Sequence, residues 1–288
     1  MTALELVKLT ALMERTSGRP EIVIGLIDGP VAVDHADLVC EQLRAVTGVT
    51  SSRCSVPNSV SCLHGTFVAG ILSAKRRSGA PAIAPDCTLL VRPIFVESAA
   101  PSFALPAATP DELAAALIEC TDAGARVLNL SVALTQPSTQ GLCRLEEALN
   151  HAARRGVIVI AAAGNQGIVG SSAITRHPWV IPVAACDQHG WPSGQSNLGN
   201  TIGRRGLSAP GEGVASLSTN GGLQTLDGTS VAAPFVTGAA ALLWSEFPTV
   251  TAVQVKFALL RATARQRTSV VPPLLNAWAA YQTLAQLL

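Results

Sequence analysis

Short apolar runs alternate along the chain with segments whose apolar residues recur at helical spacing. The apolar runs predict strands at 21–28, 87–95, 126–132, 157–163 and 180–185. The segments between them predict helices at 64–74, 110–122 and 144–155. Strands that alternate with helices are typical of a mostly parallel sheet covered on both faces, so we predict an α/β fold.

The two ends of the chain are patterned as helices. A long apolar helix is predicted to follow Ser230, and covering helices are predicted at 251–264 and 273–284. Near the start, apolar and charged residues from Leu4 to Glu14 favour an amphipathic helix docked on the body. Since no Gly/Ser linker or charge block divides the sequence, we expect one domain over 1–288, with 1–20 as a short helical extension.

Composition narrows the class of partner. Of the 288 residues 48% are hydrophobic and 14% charged, which allows a large core. A formal net charge of +1 and 4% aromatic residues argue against nucleic acid or a membrane surface as partner. The apolar stretch 231–244 is interrupted by Pro234 and is too short to span a bilayer. The N-terminus lacks the pattern of a secretory signal, so we expect a cytoplasmic protein.

Cysteine spacing excludes two kinds of site. The seven cysteines form no Cys-X-X-Cys pair, which argues against a zinc ribbon or a thioredoxin motif. Their odd number leaves at least one thiol free. Reduced thiols are the default without an export signal, but Cys40, Cys54 and Cys62 are close enough in sequence for one loop disulfide, and the pairing stays open. The cysteines are Cys40, Cys54, Cys62, Cys87, Cys120, Cys143 and Cys186.

Candidate chemistry lies where the predicted strands end. Asp28 closes the first strand, Asn165 follows the fourth, and His64 opens the first predicted helix of the body. Ser230 starts the apolar helix, where unpaired N–H groups favour negative charge, although Ser and Thr are also common helix caps. Acyl transfer by a serine needs a base, an acid that orients the base, and donors for the oxyanion. The chain offers one residue of each kind.

Local motifs around these residues resemble those of the subtilisin-like serine proteases, the subtilases. The motifs are Ile27-Asp28-Gly29, His64 to Gly70, Ala162 to Asn165, Leu207 to Gly211 and Gly228 to Pro234. The resemblance covers roughly residues 22–243 and implies a subtilisin-like three-layer sandwich. It also implies that Ser230 is the nucleophile, His64 the general base and Asp28 the residue that orients His64. The side-chain amide of Asn165 and the backbone N–H of Ser230 would bind the oxyanion.

The same resemblance implies a peptide-binding cleft. An extended substrate would pair with the strand that ends in Ser131, Val132 and Ala133, and this strand would form one wall of the pocket for the residue before the cut. Ala162, Ala163 and Gly164 would form the other wall. Subtilases usually carry glycine at the position of Ala133, so we expect the added methyl group to disfavour bulky aromatic side chains.

Several positions depart from the family pattern. Gly29 follows Asp28 where Ser or Thr is usual, and Phe67 stands where a second histidine is common. Residues 75–81 occupy the loop that binds calcium in secreted subtilisins, but they include Arg76 and Arg77, so we predict no metal there and no cofactor. The segment 97–109 is longer than its counterpart, and its Pro and Ala content favours a semi-rigid lid in which Phe103 and Leu105 contact substrate or pack down.

The chain has room before Ile22 for one short helix, so we expect it to mature without a cleaved foldase segment. Together with the Ile27 to Val31 pattern, this resembles the leader-cutting subtilases of cyanobactin-type biosynthesis. The predicted function is a serine endopeptidase acting through an acyl-enzyme on a peptide or precursor peptide. The alternatives are an acyl transferase or macrocyclase with the same triad, and a peptide-binding pseudoprotease. The oligomeric state is open.

Overall fold

The computed structural model describes residues 1–46, 51–56, 58–98, 108–132, 141–262 and 269–287. The strands in this part of the chain are β1 Val23–Asp28, β2 Leu43–Ala45, β3 Thr88–Pro93, β4 Val127–Leu130, β5 Ile158–Ala162, β6 Val180–Cys186, β7 Leu207–Pro210, β8 Val214–Leu217 and β9 Leu223–Leu226. The helices are α1 Ala3–Leu6, α2 Leu9–Arg15, α3 Val60–Ser73, α4 Pro110–Asp122, α5 Leu142–Arg154, α6 Ala173–Arg176, α7 Asn200–Arg205, α8 Thr229–Glu246, α9 Ala252–Arg261 and α10 Ala277–Leu287.

Seven strands form one parallel sheet in the order β2-β3-β1-β4-β5-β6-β7. β1 lies between β3 and β4, and from β4 to β7 each new strand is added at the outer edge of the sheet. The register of the strands brings the carboxyl ends of β1, β4 and β5 to one edge of the sheet. At this edge Ile27 pairs with Leu130, and Leu130 pairs with Ala161. The predicted mostly parallel α/β fold is confirmed. β8 and β9 form a separate antiparallel hairpin.

Helices cover both faces of the sheet. On one face α4 and α5 bury a cluster that includes Leu117, Leu149 and Val159. On the other face α3 and α8 pack on the sheet and are covered in turn by α2, α9 and α10. Phe67, Phe235 and Trp244 are fully buried there, and burying a side chain of this size contributes about 1.5–3 kcal/mol. The predicted three-layer arrangement is therefore present, with its larger core on the side of α8.

Several helix boundaries differ from those predicted, and three of the differences have a clear cause. α3 begins at Val60, four residues before His64, because the Ser59 hydroxyl accepts a hydrogen bond from the N–H of Cys62 and caps the helix. The N-terminal helix is divided into α1 and α2 at Lys8, whose φ is 57°. Residues 273–275 are extended, since Leu275 and Pro273 exchange backbone hydrogen bonds with Ser208 of β7, and α10 starts only at Ala277.

Within the described ranges, no helix combines the length and the apolar character needed to cross a membrane. Two features of the predicted cleft, Ala133 and most of the predicted lid, including Phe103 and Leu105, lie outside the described residues.

Candidate active site

Three side chains from distant parts of the chain meet at the carboxyl edge of the sheet. Asp28 is the last residue of β1, His64 lies in the second turn of α3, and Ser230 is the second residue of α8. The Asp28 Oδ1 atom lies 2.7 Å from His64 Nδ1, and His64 Nε2 lies 2.9 Å from Ser230 Oγ. Both distances are those of direct hydrogen bonds, so a proton can pass between the serine and the imidazole while the carboxylate holds the ring.

The backbone around Asp28 explains the glycine that follows it. The N–H of Gly29 donates to Asp28 Oδ1 at 2.6 Å, while Oδ2 is buried without a partner among the described residues. A Cβ atom at position 29 would lie 1.9 Å from the carbonyl oxygen of Ser61. Because α3 approaches so closely, Ser or Thr does not fit here, and the carboxylate lacks the hydroxyl that such a residue would carry.

The start of α3 is fixed to its surroundings by a cluster that we call the α3 latch: the Cys54–Cys62 disulfide and the Glu97 carboxylate. Glu97 accepts from the backbone N–H groups of Ser55 and Val56 and from the hydroxyls of Ser55 and Ser59. Burial acts to raise the pKa of Glu97, but these hydrogen bonds outweigh it and hold the pKa below its ordinary value. The latch therefore immobilises the turn that precedes His64.

Potential metal-ligating atoms converge in the described part of the chain at the same cluster, where atoms of Cys54, Cys62 and Glu97 lie within 4.8 Å of one another. The disulfide uses both sulfur atoms, and the carboxylate is saturated with hydrogen bonds. While the bridge is intact the cluster has no thiolate to offer a metal ion.

Ser230 sits in a helix start with an unusual hydrogen-bond pattern. Pro234 has no N–H to donate to the carbonyl oxygen of Ser230 four residues earlier. The Ser131 hydroxyl donates to this oxygen instead, at 3.4 Å. Ser131 in turn accepts from the amide of the fully buried Asn129 at 2.8 Å, and the Thr237 hydroxyl donates to Asn129 Oδ1 at 2.8 Å. A chain of buried hydrogen bonds thus joins β4 to the helix that carries Ser230.

The amide of Asn165 is oriented by Thr229. Asn165 Oδ1 accepts from the backbone N–H of Thr229 at 2.8 Å and from its hydroxyl at 2.9 Å, so Nδ2 is the free end of the amide. A Cβ atom on Gly228 would come within 2.9 Å of Nδ2, which places this donor beside the start of α8. Asn165 Nδ2 therefore lies beside the first residues of α8, the helix that carries Ser230.

The described residues predicted to form the pocket walls lie at the ends of two paired strands. Ser131 and Val132 follow β4, Ala162 ends β5, and Ala163 and Gly164 come next. Their positions at adjacent strand ends are consistent with two facing walls. The contribution predicted for Ala133 falls on a residue outside the described ranges.

Sequence reasoning missed the supporting residues Asn129, Thr229 and Thr237. Asn129 and Thr237 carried a signal, because each is a polar residue within an otherwise apolar run. Thr229 carried none beyond its place beside Ser230, since its bonds to Asn165 and to the N–H of Gly164 join segments far apart in sequence.

The loop predicted to lack calcium holds an arginine against backbone carbonyls. The Arg76 guanidinium donates to the carbonyl oxygens of Met13, Thr16 and Ile83, with distances of 2.8 Å to Thr16 and 3.4 Å to Ile83. Met13 and Thr16 lie at the end of α2. The positively charged Arg76 side chain therefore links the end of α2 to the body of the protein.

Comparisons with known proteins agree with this geometry. A family model described as the subtilase family matches residues 19–277. Subtilisin DY of Bacillus licheniformis is 31% identical over 240 residues, which are 82% of this chain and 81% of that protein.

Solved structures extend the comparison to the whole architecture. The prenylagaramide maturation protease PagA is 30% identical with a TM-score of 0.81, and the match covers 96% of this chain and 98% of that one. The PatG macrocyclase in complex with peptide has a TM-score of 0.80 at 22% identity, covering 97% and 96% of the two chains, and this likeness concerns the fold alone.

Proposed function

Because this chain belongs to the subtilase family of serine proteases, we propose that Asp28, His64 and Ser230 are its catalytic triad and that its substrate is the leader region of a precursor peptide. The supporting observation for the triad is the continuous hydrogen-bonded path Asp28–His64–Ser230. For the substrate, the support is the similarity over nearly the full chain to PagA, which is described as a maturation protease.

In the proposed reaction Ser230 Oγ attacks the scissile carbonyl carbon while its proton moves to His64 Nε2. The carbonyl oxygen becomes an oxyanion that accepts from Asn165 Nδ2 and the N–H of Ser230. The C–N bond then breaks as the imidazolium gives its proton to the leaving amine. Water attacks the resulting ester, His64 takes the water proton, and the proton returned to Oγ regenerates Ser230 as the acid product leaves.

Asp28 has an electrostatic task in this sequence of steps. Its carboxylate accepts from His64 Nδ1–H, which leaves Nε2 unprotonated and ready to act as base, and it stabilises the imidazolium once formed. An imidazolium cannot accept the serine proton, so the first step requires neutral His64.

A substrate in extended conformation fits the two predicted walls. The residue before the cut would lie between Ser131 and Val132 on one side and Ala162, Ala163 and Gly164 on the other, with its backbone pairing along the strand end. Such pairing recognises the peptide backbone and leaves sequence selection to the side-chain pockets.

Labelling with a fluorophosphonate probe tests the triad. Wild type should be labelled at Ser230 at neutral pH, whereas Ser230→Ala should be unlabelled and lose about 10⁶-fold in kcat. An unreactive wild type would contradict the assignment and favour a peptide-binding pseudoprotease.

Incubation with a synthetic precursor peptide, followed by mass spectrometry, tests the substrate. Hydrolysis should give a linear leader and a linear remainder whose masses sum to the precursor plus one water. Products that lack the added water would instead identify an acyl transfer to an amine. If the enzyme reacts with the fluorophosphonate probe but cleaves no precursor peptide, the substrate proposal is refuted and the triad assignment stands.

A further inference from the structure

The loop that carries Asn165 is exposed and yet must hold one atom accurately. All five residues of the segment 165–169 are exposed. An oxyanion donor contributes fully only when it is held within hydrogen-bonding distance of the developing charge, so a small displacement of this loop would weaken catalysis. Thr229 fixes the tip of the Asn165 side chain, but the backbone on either side of Asn165 requires a separate support.

Asn197 supplies hydrogen bonds to that backbone from both sides. Its Oδ1 accepts from the N–H groups of Gln166 and Ile168 at 3.0 and 3.2 Å. Its Nδ2 donates to the carbonyl oxygen of Ala163 at 3.2 Å and to Gln166 Oε1 at 2.6 Å. In addition, the N–H of Asn197 donates to the carbonyl oxygen of Gly164 at 2.8 Å. One residue therefore binds the chain immediately before and after Asn165.

The loop is shaped to receive the Asn197 amide. Gly164 has a φ of 105°, and a Cβ atom there would lie 2.3 Å from Asn197 Nδ2. The backbone thus comes into direct contact with the amide at a position that excludes a side chain. Asn197 itself is only 8% exposed.

Asn197 is anchored to the central sheet through its own segment. The adjacent Ser196 hydroxyl accepts from the N–H of Ala185 in β6 at 3.1 Å. On the other side Leu198 pairs with the far end of the loop, donating to the carbonyl oxygen of Ile168 at 3.0 Å. A rigid strand is therefore connected through Asn197 to the exposed loop.

We propose that Asn197 is a positioning residue for the oxyanion hole: it holds the backbone around Asn165 so that Nδ2 remains directed at the developing oxyanion. It does not touch the substrate and acts through Asn165. The proposal rests on the proposed function, in which Asn165 Nδ2 is an oxyanion donor.

Kinetics of Asn197→Ala test the proposal. The four side-chain hydrogen bonds are lost, so we expect kcat to fall by about 10- to 100-fold. KM should change less than kcat, because the backbone N–H of Asn197 that binds the Gly164 carbonyl oxygen in the pocket wall is retained. Affinity for a peptide aldehyde, which forms a tetrahedral adduct with the serine, should fall by the same factor as kcat/KM.

A double-mutant cycle separates positioning from general structural damage. Asn165→Ala alone should lower kcat by about 10²–10³-fold. In that background Asn197→Ala should lower kcat by less than about twofold, since the donor that it positions is already absent. Thr88→Ala is the control: it removes the buried hydrogen bond from the Thr88 hydroxyl, at the amino end of β3, to the Pro20 carbonyl oxygen, and should reduce the melting temperature without changing aldehyde affinity relative to substrate.

Three results would overturn the proposal. If Asn197→Ala has wild-type kcat and aldehyde affinity, the positioning role is refuted while the proposed function stands. The same holds if Asn197→Ala lowers kcat as much in the Asn165→Ala background as it does in wild type. Wild-type kcat in Asn165→Ala refutes the oxyanion assignment and the role of Asn197 with it. If Asn197→Ala does not fold, the isosteric Asn197→Asp replaces it: it retains the acceptor for Gln166 and Ile168 but loses both Nδ2 donors, and unchanged kcat and aldehyde affinity in that variant again refute the role.

Discussion

Close backbone contacts, as well as chemistry, restrict which residue type fits at individual positions of this site. Gly29 and Gly65 stand where β1 and α3 touch, and a Cβ atom on either would lie within 2.5 Å of a carbonyl oxygen. The approach brings the Asp28 carboxylate to the His64 ring, and it also excludes a hydroxyl-bearing residue next to Asp28. The same contact thus explains both the short hydrogen bond and the departure from the family pattern.

Gly29→Ala should force α3 away from β1. The added methyl group would meet the Ser61 carbonyl oxygen at 1.9 Å, and such overpacking costs about 1–3 kcal/mol. We expect a lower free energy of unfolding in urea and a kcat/KM reduced by at least about tenfold, because the Asp28–His64 hydrogen bond lengthens. Gly194→Ala is the control, since nothing lies within 4 Å of its added Cβ. Equal behaviour of the two variants would contradict this explanation.

The free cysteines should differ sharply in reactivity. Burial raises the pKa of Cys87 to about 11 and the pKa values of Cys120 and Cys186 to about 12. These thiols therefore stay protonated at pH 8 and are also shielded from solvent, whereas Cys40 and Cys143 are exposed. Iodoacetamide followed by mass spectrometry should modify the two exposed thiols in the native protein and all five free thiols in urea. Native labelling of Cys120 or Cys186 would show that the core opens.

At the scale of elements, the helix that carries His64 is stabilised chiefly at its first turn. Ser59 caps α3, and the Cys54–Cys62 disulfide joins the helix to the preceding loop. Glu97, which follows β3 in the chain, accepts hydrogen bonds from that loop. α8 shows the complementary arrangement, since its start is bound to β4 through Ser131. The ends of α3 and α8 that carry His64 and Ser230 are thus fixed by polar contacts, while the remaining turns of both helices are held by apolar burial.

Replacing the disulfide cysteines with Ser should destabilise the protein measurably. The bridge joins residues with a sequence separation of 8, and a loop of this size is expected to contribute about 2–3 kcal/mol through the unfolded state. Urea denaturation of Cys54→Ser/Cys62→Ser should show this loss, whereas Cys40→Ser, which changes an exposed free thiol, should match wild type. The prediction would be contradicted if the double variant were as stable as wild type, or if a dithiol reductant left the stability of wild type unchanged.

Over the whole molecule, charged groups join the N-terminal helices to the body. Arg76 binds carbonyl oxygens at the end of α2, and Arg15 of α2 pairs with Glu246 of α8 at 2.9 Å while lying over the Tyr281 ring of α10. The exposed carbonyl ends of α2 carry partial negative charge, so a guanidinium is well suited to them. Cationic side chains therefore hold the N-terminal helices against the core.

Removal of calcium should leave the stability of the protein unchanged, whereas substitution of Arg76 should lower it. We expect EGTA to leave the melting temperature and activity unchanged, because Arg76 occupies the carbonyl oxygens of Met13, Thr16 and Ile83. Arg76→Met should lower the free energy of unfolding by about 1–2 kcal/mol, a figure reduced for the exposure of this side chain. Arg77→Met, a change at its exposed neighbour, is the control. Destabilisation by EGTA would contradict the prediction of a calcium-free loop.

Much of the architecture was predictable because it depends on local patterning. Apolar runs of strand length and amphipathic helical segments lie next to one another in sequence, so the alternation that defines the α/β fold could be recognised from the chain. The predicted helix at 110–122 agrees with α4, in which Pro110 is the first residue. Asp28, His64, Asn165 and Ser230 were found through short motifs. The boundaries of α3 and α10 were wrong because a cap and a pairing with β7 override local pattern.

By itself, then, the sequence determined the fold class, the family and the identity of the candidate catalytic residues, since each is encoded in contiguous stretches. Only the tertiary structure decided that Cys54 pairs with Cys62, that Gly29 is required by the Ser61 carbonyl, and that Thr229 and Asn197 hold the loop of Asn165. Apart from the disulfide, whose cysteines are separated by 8 residues, these are contacts between segments that folding brings together across tens of residues. Hydrogen bonds and steric contacts act over a few ångströms in space, and no spacing along the chain specifies which distant groups will come within that range.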